Sequence, residues 1–239
     1  MSIIDLLNIK PFAVIGHRGA AGRYPENTLK SIEYVIGLGV EIVEVDVRAT
    51  RDGEIIVFHD PDLKRLFGIN KSINELDYSW IRNNLRLDSE HIPLLSEVLE
   101  LVKDRVGLFV EIKEPNITRR VVELINKYNM VNNVAIISFH DEALVKAKQL
   151  IPNIVTGLIY FKPPGRLFDA KKLRANIVLP RYNIASLKAN QLAHKLKLKV
   201  VVWTVNNEKL VYEMIRREVD GIASDYPDLL INIRKKLSS

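Results

Sequence analysis

Glu44 and Asp46 alternate with Val43, Val45 and Val47 in the segment EIVEVDV, and Glu111 and Lys113 alternate with Val110 and Ile112 in GLFVEIK. Successive side chains of a strand point to opposite faces, so Glu44 and Asp46 share one face while Val43, Val45 and Val47 share the other, and Glu111 and Lys113 lie opposite Leu108, Val110 and Ile112. Charges in runs this apolar are costly to bury unless something neutralises them. Three carboxylates meeting in the mouth of a barrel would suit a hard divalent cation with oxygen ligands. The pattern points to an enzyme.

The elements that must position these residues are short apolar strands alternating with amphipathic helical stretches. Strands are expected at 12–16, 41–47, 107–113, 134–138, 155–160, 176–180, 199–205 and 220–224. Near-continuous apolar runs of this kind are the pattern of parallel strands buried on both faces. A helix over 26–39 ends at glycine, one over 141–152 stops at Pro152, Ser186 caps another, and Pro227 opens the last. Eight strands in βα order predict an α/β fold, a closed (β/α)8 TIM barrel, as one domain over residues 1–239. An open doubly wound sheet fits less well, because Gly16-His17-Arg18-Gly19 is not its glycine-rich first turn.

One segment breaks the rhythm after the second strand. Asp52-Gly53 lies between two extended stretches and signals a short antiparallel hairpin, with residues 54–58 returning beyond the barrel rim. His59 and Asp60 would then lie over the mouth. Residues 60–91 form a small irregular excursion with a helix near Asp77–Asn84.

Catalytic groups of such barrels gather at the C-terminal strand ends. His17 and Arg18 follow strand one, Glu44 and Asp46 lie late on strand two, Glu111 and Lys113 late on strand three, and Asn206 follows strand seven. Three acids against Arg18 and Lys113 leave about one excess negative charge, which a divalent cation converts to a net positive site suited to a phosphodiester. Two histidines can accept and donate protons near neutral pH.

At these residues the chain resembles the glycerophosphodiester phosphodiesterase family of phospholipase-C-like phosphodiesterase barrels. The similar stretches are His17-Arg18-Gly19, Pro25-Glu26-Asn27-Thr28, Glu44-Val45-Asp46-Val47, Thr50-Arg51-Asp52-Gly53, His59-Asp60, Ile92-Pro93-Leu94-Leu95, Glu111-Ile112-Lys113, Trp203-Thr204-Val205-Asn206, and Asp220-Gly221-Ile222 with Asp225-Tyr226-Pro227-Asp228. They run in the family's order through nearly the whole chain. The resemblance implies Glu44, Asp46 and Glu111 as metal ligands for Mg2+ or Ca2+, with Mn2+ a further option. It implies His17 and His59 as the acid–base pair, Arg18 and Lys113 as phosphate contacts, and Trp203 as an aromatic near the glycerol moiety. The reaction implied is hydrolysis of a glycerophosphodiester to sn-glycerol 3-phosphate and an alcohol. The family's threonines after His-Asp are replaced in Pro61-Asp62-Leu63-Lys64-Arg65-Leu66-Phe67, which leaves the head-group preference open.

Competing readings keep the barrel but change the reaction to a lysophospholipase D or a phospholipase-C-like activity, or make the chain a silent binding protein. Glu26 either caps the first helix or orients Arg18, and the second is favoured. Arg181 and Tyr182, after strand six, either touch substrate or lie in a solvated loop, and the second is favoured; His91, His140 and His194 are expected in structural or surface positions. Ile3, Ile4, Leu6, Leu7 and Ile9 are expected to pack beneath the barrel.

Bulk properties bound the rest. The 239 residues include no cysteine, which excludes disulfides and thiolate chemistry. A formal charge of +6 favours anionic substrates, yet without a dense basic block or recognition motif no nucleic-acid partner is expected. MSIIDLLNIK lacks the form of a signal peptide, and no apolar run reaches the ~20 residues of a membrane span. The expectation is a cytoplasmic protein acting on a small molecule, without stable membrane insertion.

Overall fold

The computed structural model describes residues 1–162 and 165–238. The strands are β1 (Ala13–Gly16), β2 (Ile42–Ala49), β3 (Ile55–Val57), β4 (Gly107–Ile112), β5 (Val134–Ser138), β6 (Val155–Tyr160), β7 (Ile177–Pro180), β8 (Lys199–Val202) and β9 (Gly221–Ser224). All but β3 pair in parallel in the order β1-β9-β8-β7-β6-β5-β4-β2, and β1 pairs with β2 to close the ring. Each connection between neighbouring barrel strands contains a helix. The architecture is the expected (β/α)8 barrel with one added strand.

The alternation seen in the sequence sorts the core into two layers. Val14, Val43, Val45, Val110 and Ile112 face outward into the cluster shared with the helices. Ile15, Ile42, Phe109, Ile137, Leu179 and Val201 fill the barrel interior, and Ile3 and Leu7 close its floor with no exposure. The N-terminal apolar residues therefore plug the end opposite the strand termini that carry His17, Glu111 and Asp225. Thr28 caps the helix Leu29–Leu38 by accepting from Ser31 N–H, and Gly39 at φ +77° ends it. Ser186 caps Leu187–Lys195 as expected.

β2 is longer than its barrel neighbours because its last residues serve a second purpose. Val47, Arg48 and Ala49 pair antiparallel with Val57, Ile56 and Ile55, after a turn in which Gly53 takes φ +82°. Phe58 N–H then donates to the Asp46 carbonyl at 2.9 Å, and Arg48 Nε donates to the His59 carbonyl at 2.8 Å. These bonds return His59 to the mouth. The excursion that follows has its own core, built on Phe58, Leu63, Ile73 and Ile81, and contains the expected helix at Tyr78–Asn84.

The seventh barrel strand, β8, is shorter than the sequence suggests. Regular pairing stops at Val202, and Trp203 keeps only a single bridge, to Arg181.

Candidate active site

Glu44 and Asp46 sit beside Glu111 because β2 and β4 pair with Asp46 opposite Glu111. One carboxylate oxygen from each of the three lies within 4.8 Å of the others. Glu44 and Asp46 are only 4% and 1% exposed. Glu44 Oε2 accepts from the Arg18 backbone N–H at 2.9 Å, whereas the buried Glu44 Oε1 has no partner. An orphaned buried carboxylate oxygen beside two further carboxylates is a donor set that fits a hard divalent ion. Burial and the Asp46 charge push the Glu44 carboxyl up to about 8. Burial and Asp46 also raise Glu111, against the pull of Lys113.

Asp46 keeps its charge for an opposite reason. Burial disfavours the carboxylate, but Lys113, Arg18 and His59 outweigh it and hold the group well below the usual range. Lys113 Nζ donates to Glu111 Oε1 at 2.6 Å and to Asp46 Oδ1 at 3.3 Å. Arg18 Nε lies 3.2 Å from Asp46 Oδ2. Asn27, in a left-handed conformation at φ +61°, clamps the same aspartate: its Nδ2 donates to Asp46 Oδ2 at 3.0 Å and its Oδ1 accepts from Asp46 N–H at 3.3 Å.

Each histidine of the mouth has a carboxylate at Nδ1. His17 Nδ1 is 2.6 Å from Asp225 Oδ1, and Asp225 Oδ2 accepts from Asn206 Nδ2 at 2.6 Å. His59 Nδ1 is 2.7 Å from Asp60 Oδ1. Arg65 binds Asp60 and grips both Glu26 oxygens, and Glu26 in turn accepts from Arg18 Nη1 at 3.0 Å. Glu26 thus orients Arg18, and Thr28 does the capping. A carboxylate at Nδ1 fixes the ring and leaves Nε2 for exchange. The two rings then diverge. Burial opposes charge on His17, but the Asp225 bond and Glu44 outweigh it and raise its pKa. On His59 burial outweighs Asp46, and Lys113 and Arg18 add to it, so its pKa falls.

His17, Arg18, Glu44, His59, Glu111 and Lys113 line a cavity of about 470 Å³, a size that suits a small ligand. The opposite wall is apolar. Phe139 meets Trp203 edge-on at 5.7 Å and Phe161 edge-on at 5.9 Å, and Trp203 Nε1 donates to the Leu179 carbonyl at 2.8 Å. Arg181 and Tyr182, expected in a solvated loop, reach this wall. Chemically, the cavity offers a site for a cation, fixed positive charge, two proton carriers and a surface for a carbon skeleton.

All eight residues singled out in the sequence, His17, Arg18, Glu44, Asp46, His59, Glu111, Lys113 and Trp203, lie at or immediately behind this cavity. Asp225, Asp60, Arg65 and Asn27 complete the constellation without having been assigned a part there. Asp225 and Asp60 lie within motifs singled out in the sequence, yet only the closed ring reveals which histidine each one holds. His194 is engaged elsewhere, with Nε2 2.8 Å from Asp220 Oδ2.

Comparison with known proteins gives a consistent picture. The model of the glycerophosphoryl diester phosphodiesterase family matches residues 17–229. A glycerophosphodiester phosphodiesterase of Caldanaerobacter subterraneus subsp. tengcongensis is 32% identical over 240 residues, covering 93% of this chain and 98% of its own. One from Bacillus altitudinis is 30% identical over 250 residues, covering 94% and 98%. The structure of a phosphodiesterase of Oleispira antarctica, in complex with the product sn-glycerol-3-phosphate, superposes with a TM-score of 0.87 at 27% identity, covering 95% of this chain and 97% of that one.

Proposed function

The chain belongs to the glycerophosphoryl diester phosphodiesterase family, and from that premise we propose that His17 and His59 exchange the protons of glycerophosphodiester hydrolysis beside a divalent cation held by Glu44, Asp46 and Glu111. The products are sn-glycerol 3-phosphate and an alcohol. The observation that carries this reading is the orphaned Glu44 Oε1 in a three-carboxylate cluster, flanked by two histidines that each have an aspartate at Nδ1. When bound, Mg2+, Ca2+ or Mn2+ supplies Lewis-acid stabilisation of phosphoryl oxygen and lowers the pKa of an attacking hydroxyl.

The protein's own residues do the rest. Arg18 and Lys113 hold the non-bridging phosphate oxygens, each kept in place by carboxylates. His59, with the lowered pKa, is neutral near pH 7, and its Nε2 accepts the proton of the attacking hydroxyl. A P–O bond forms to that oxygen as the P–O bond to the alcohol breaks. His17, with the raised pKa, delivers its Nε2 proton to the departing oxygen. Asp225 and Asp60 hold the rings and favour the charge each histidine must carry, as positioning residues. Trp203 packs against the glycerol carbons.

A leaving group that needs no proton separates the two histidines. His17→Ala is expected to lose about 10²–10⁴-fold on glycerophosphocholine and far less on glycerophospho-p-nitrophenol, whereas His59→Ala loses heavily on both. Equal losses of His17→Ala on the two substrates would refute its role as acid.

One observation favours a second reading. Phe161 at the cavity edge is 48% exposed and extends the apolar wall outward, which would suit a lysophospholipid cleaved by the same chemistry. Comparing lysophosphatidylcholine with glycerophosphocholine decides between them, and the reading fails if the deacylated diester is turned over faster.

A further inference from the structure

The cations of the acidic pole are already committed. Arg18 is bound to Glu26 and Asp46, Lys113 to Glu111 and Asp46, and Arg65 to Glu26 and Asp60. Arg181 differs. Among the described residues lining the cavity it is the cation with no carboxylate partner, and its guanidinium carbon stands 6.0 Å from the centroid of the Tyr182 ring.

Its place is fixed by the backbone. Arg181 follows β7, its N–H donates to the Tyr160 carbonyl at 2.9 Å, and it bridges Trp203. In the closed ring β7 stands four strands from β2 in either direction, so Arg181 and the Glu44–Asp46 pair occupy opposite poles of one mouth. The apolar surface of Phe139 and Trp203 also lines that cavity. A ligand with one phosphate at the acidic pole and an uncharged skeleton would leave Arg181 unmatched. A guanidinium is suited to bidentate recognition of phosphate.

We propose that Arg181 is a specificity-determining residue that reads a second phosphate on the substrate, so that this enzyme favours glycerophosphodiesters bearing two phosphates over those bearing one. The inference rests on the hydrolysis reading above and adds to it the class of substrate. Because Arg181 is solvent-exposed, the gain is that of a screened charge pair, about fivefold at low salt, and it declines with ionic strength.

The test compares bis(glycerophospho)glycerol with glycerophosphoglycerol, assayed as glycerol 3-phosphate release by the Mg2+-supplemented 239-residue chain. The first substrate has two equivalent ends, a statistical factor that cancels between variants. The expected result is that the ratio of kcat/KM values, doubly over singly charged, falls about fivefold in Arg181→Gln, mostly through KM, and falls further in Arg181→Glu. High salt should erase the difference between wild type and Arg181→Gln. An unchanged ratio in both variants overturns the inference and leaves the hydrolysis reading standing. Turnover of neither substrate by the wild type overturns the two together.

Discussion

Glu44 is buried beside Asp46, and that burial and that neighbouring charge push its pKa up to about 8 from an ordinary value of 4.5. Between these two values the folded protein holds a proton that the unfolded chain has released. The stability Glu44 contributes is therefore full below about pH 4.5 and is lost as pH rises through about 8. In EDTA-treated protein, thermal denaturation should show wild type losing stability relative to Glu44→Gln across pH 5–8, on the order of 1–3 kcal/mol. Parallel pH profiles for the two proteins would contradict this. Asp225 likewise favours the proton on His17, where the protonated form is the charged one. Asp225→Asn should cut kcat about 10–100-fold, as loss of a supporting partner does, and move the basic limb of the pH–rate profile to lower pH. A fall in kcat with an unmoved limb would mark Asp225 as merely structural.

The loop after β1 carries much of the site on very few residues. Gly19 takes φ +79°, and a Cβ there would run into Ser31 in the first turn of Leu29–Leu38. Gly19→Ala should lower stability by about 2 kcal/mol or more and weaken activity with it, because the same loop supplies Arg18 and Asn27. A thermal midpoint within a degree of wild type would show that the loop can adjust. Much at this scale is legible in the sequence. The two-residue period of EIVEVDV and GLFVEIK puts Glu44, Asp46 and Glu111 on the inner face, and Asp52-Gly53 marks the hairpin that returns His59. What is not legible depends on closure. Asp225 meets His17 across 208 positions because β9 pairs with β1, and local periodicity holds no trace of that register. The Arg65–Glu26–Arg18 chain likewise needs the excursion folded over the mouth. The end of β8 at Val202 also escapes, since the apolar run continues to Val205 while Trp203 keeps only its bridge to Arg181.

Across the whole molecule, folding brings three carboxylates together at the open end of the barrel, and an ion that binds only the folded protein must stabilise it. At a concentration about 100 times its Kd, a divalent cation should add about 2.7 kcal/mol, or roughly 5–10 °C in Tm for a chain of this length. Glu111→Gln should abolish most of that gain. No helix among the described residues is long and apolar enough to cross a membrane, and the formal charge of +6 is expected to favour approach of an anionic substrate. The most direct measurement is glycerol 3-phosphate release from glycerophosphocholine and glycerophosphoethanolamine by EDTA-stripped protein, with Mg2+, Mn2+ and Ca2+ restored singly and Glu44→Gln and His59→Ala beside the wild type. Release that returns with a metal in the wild type and in neither variant is the expected result. Release that persists without metal, or survives in His59→Ala, would contradict the assignment of metal and proton transfer to these residues.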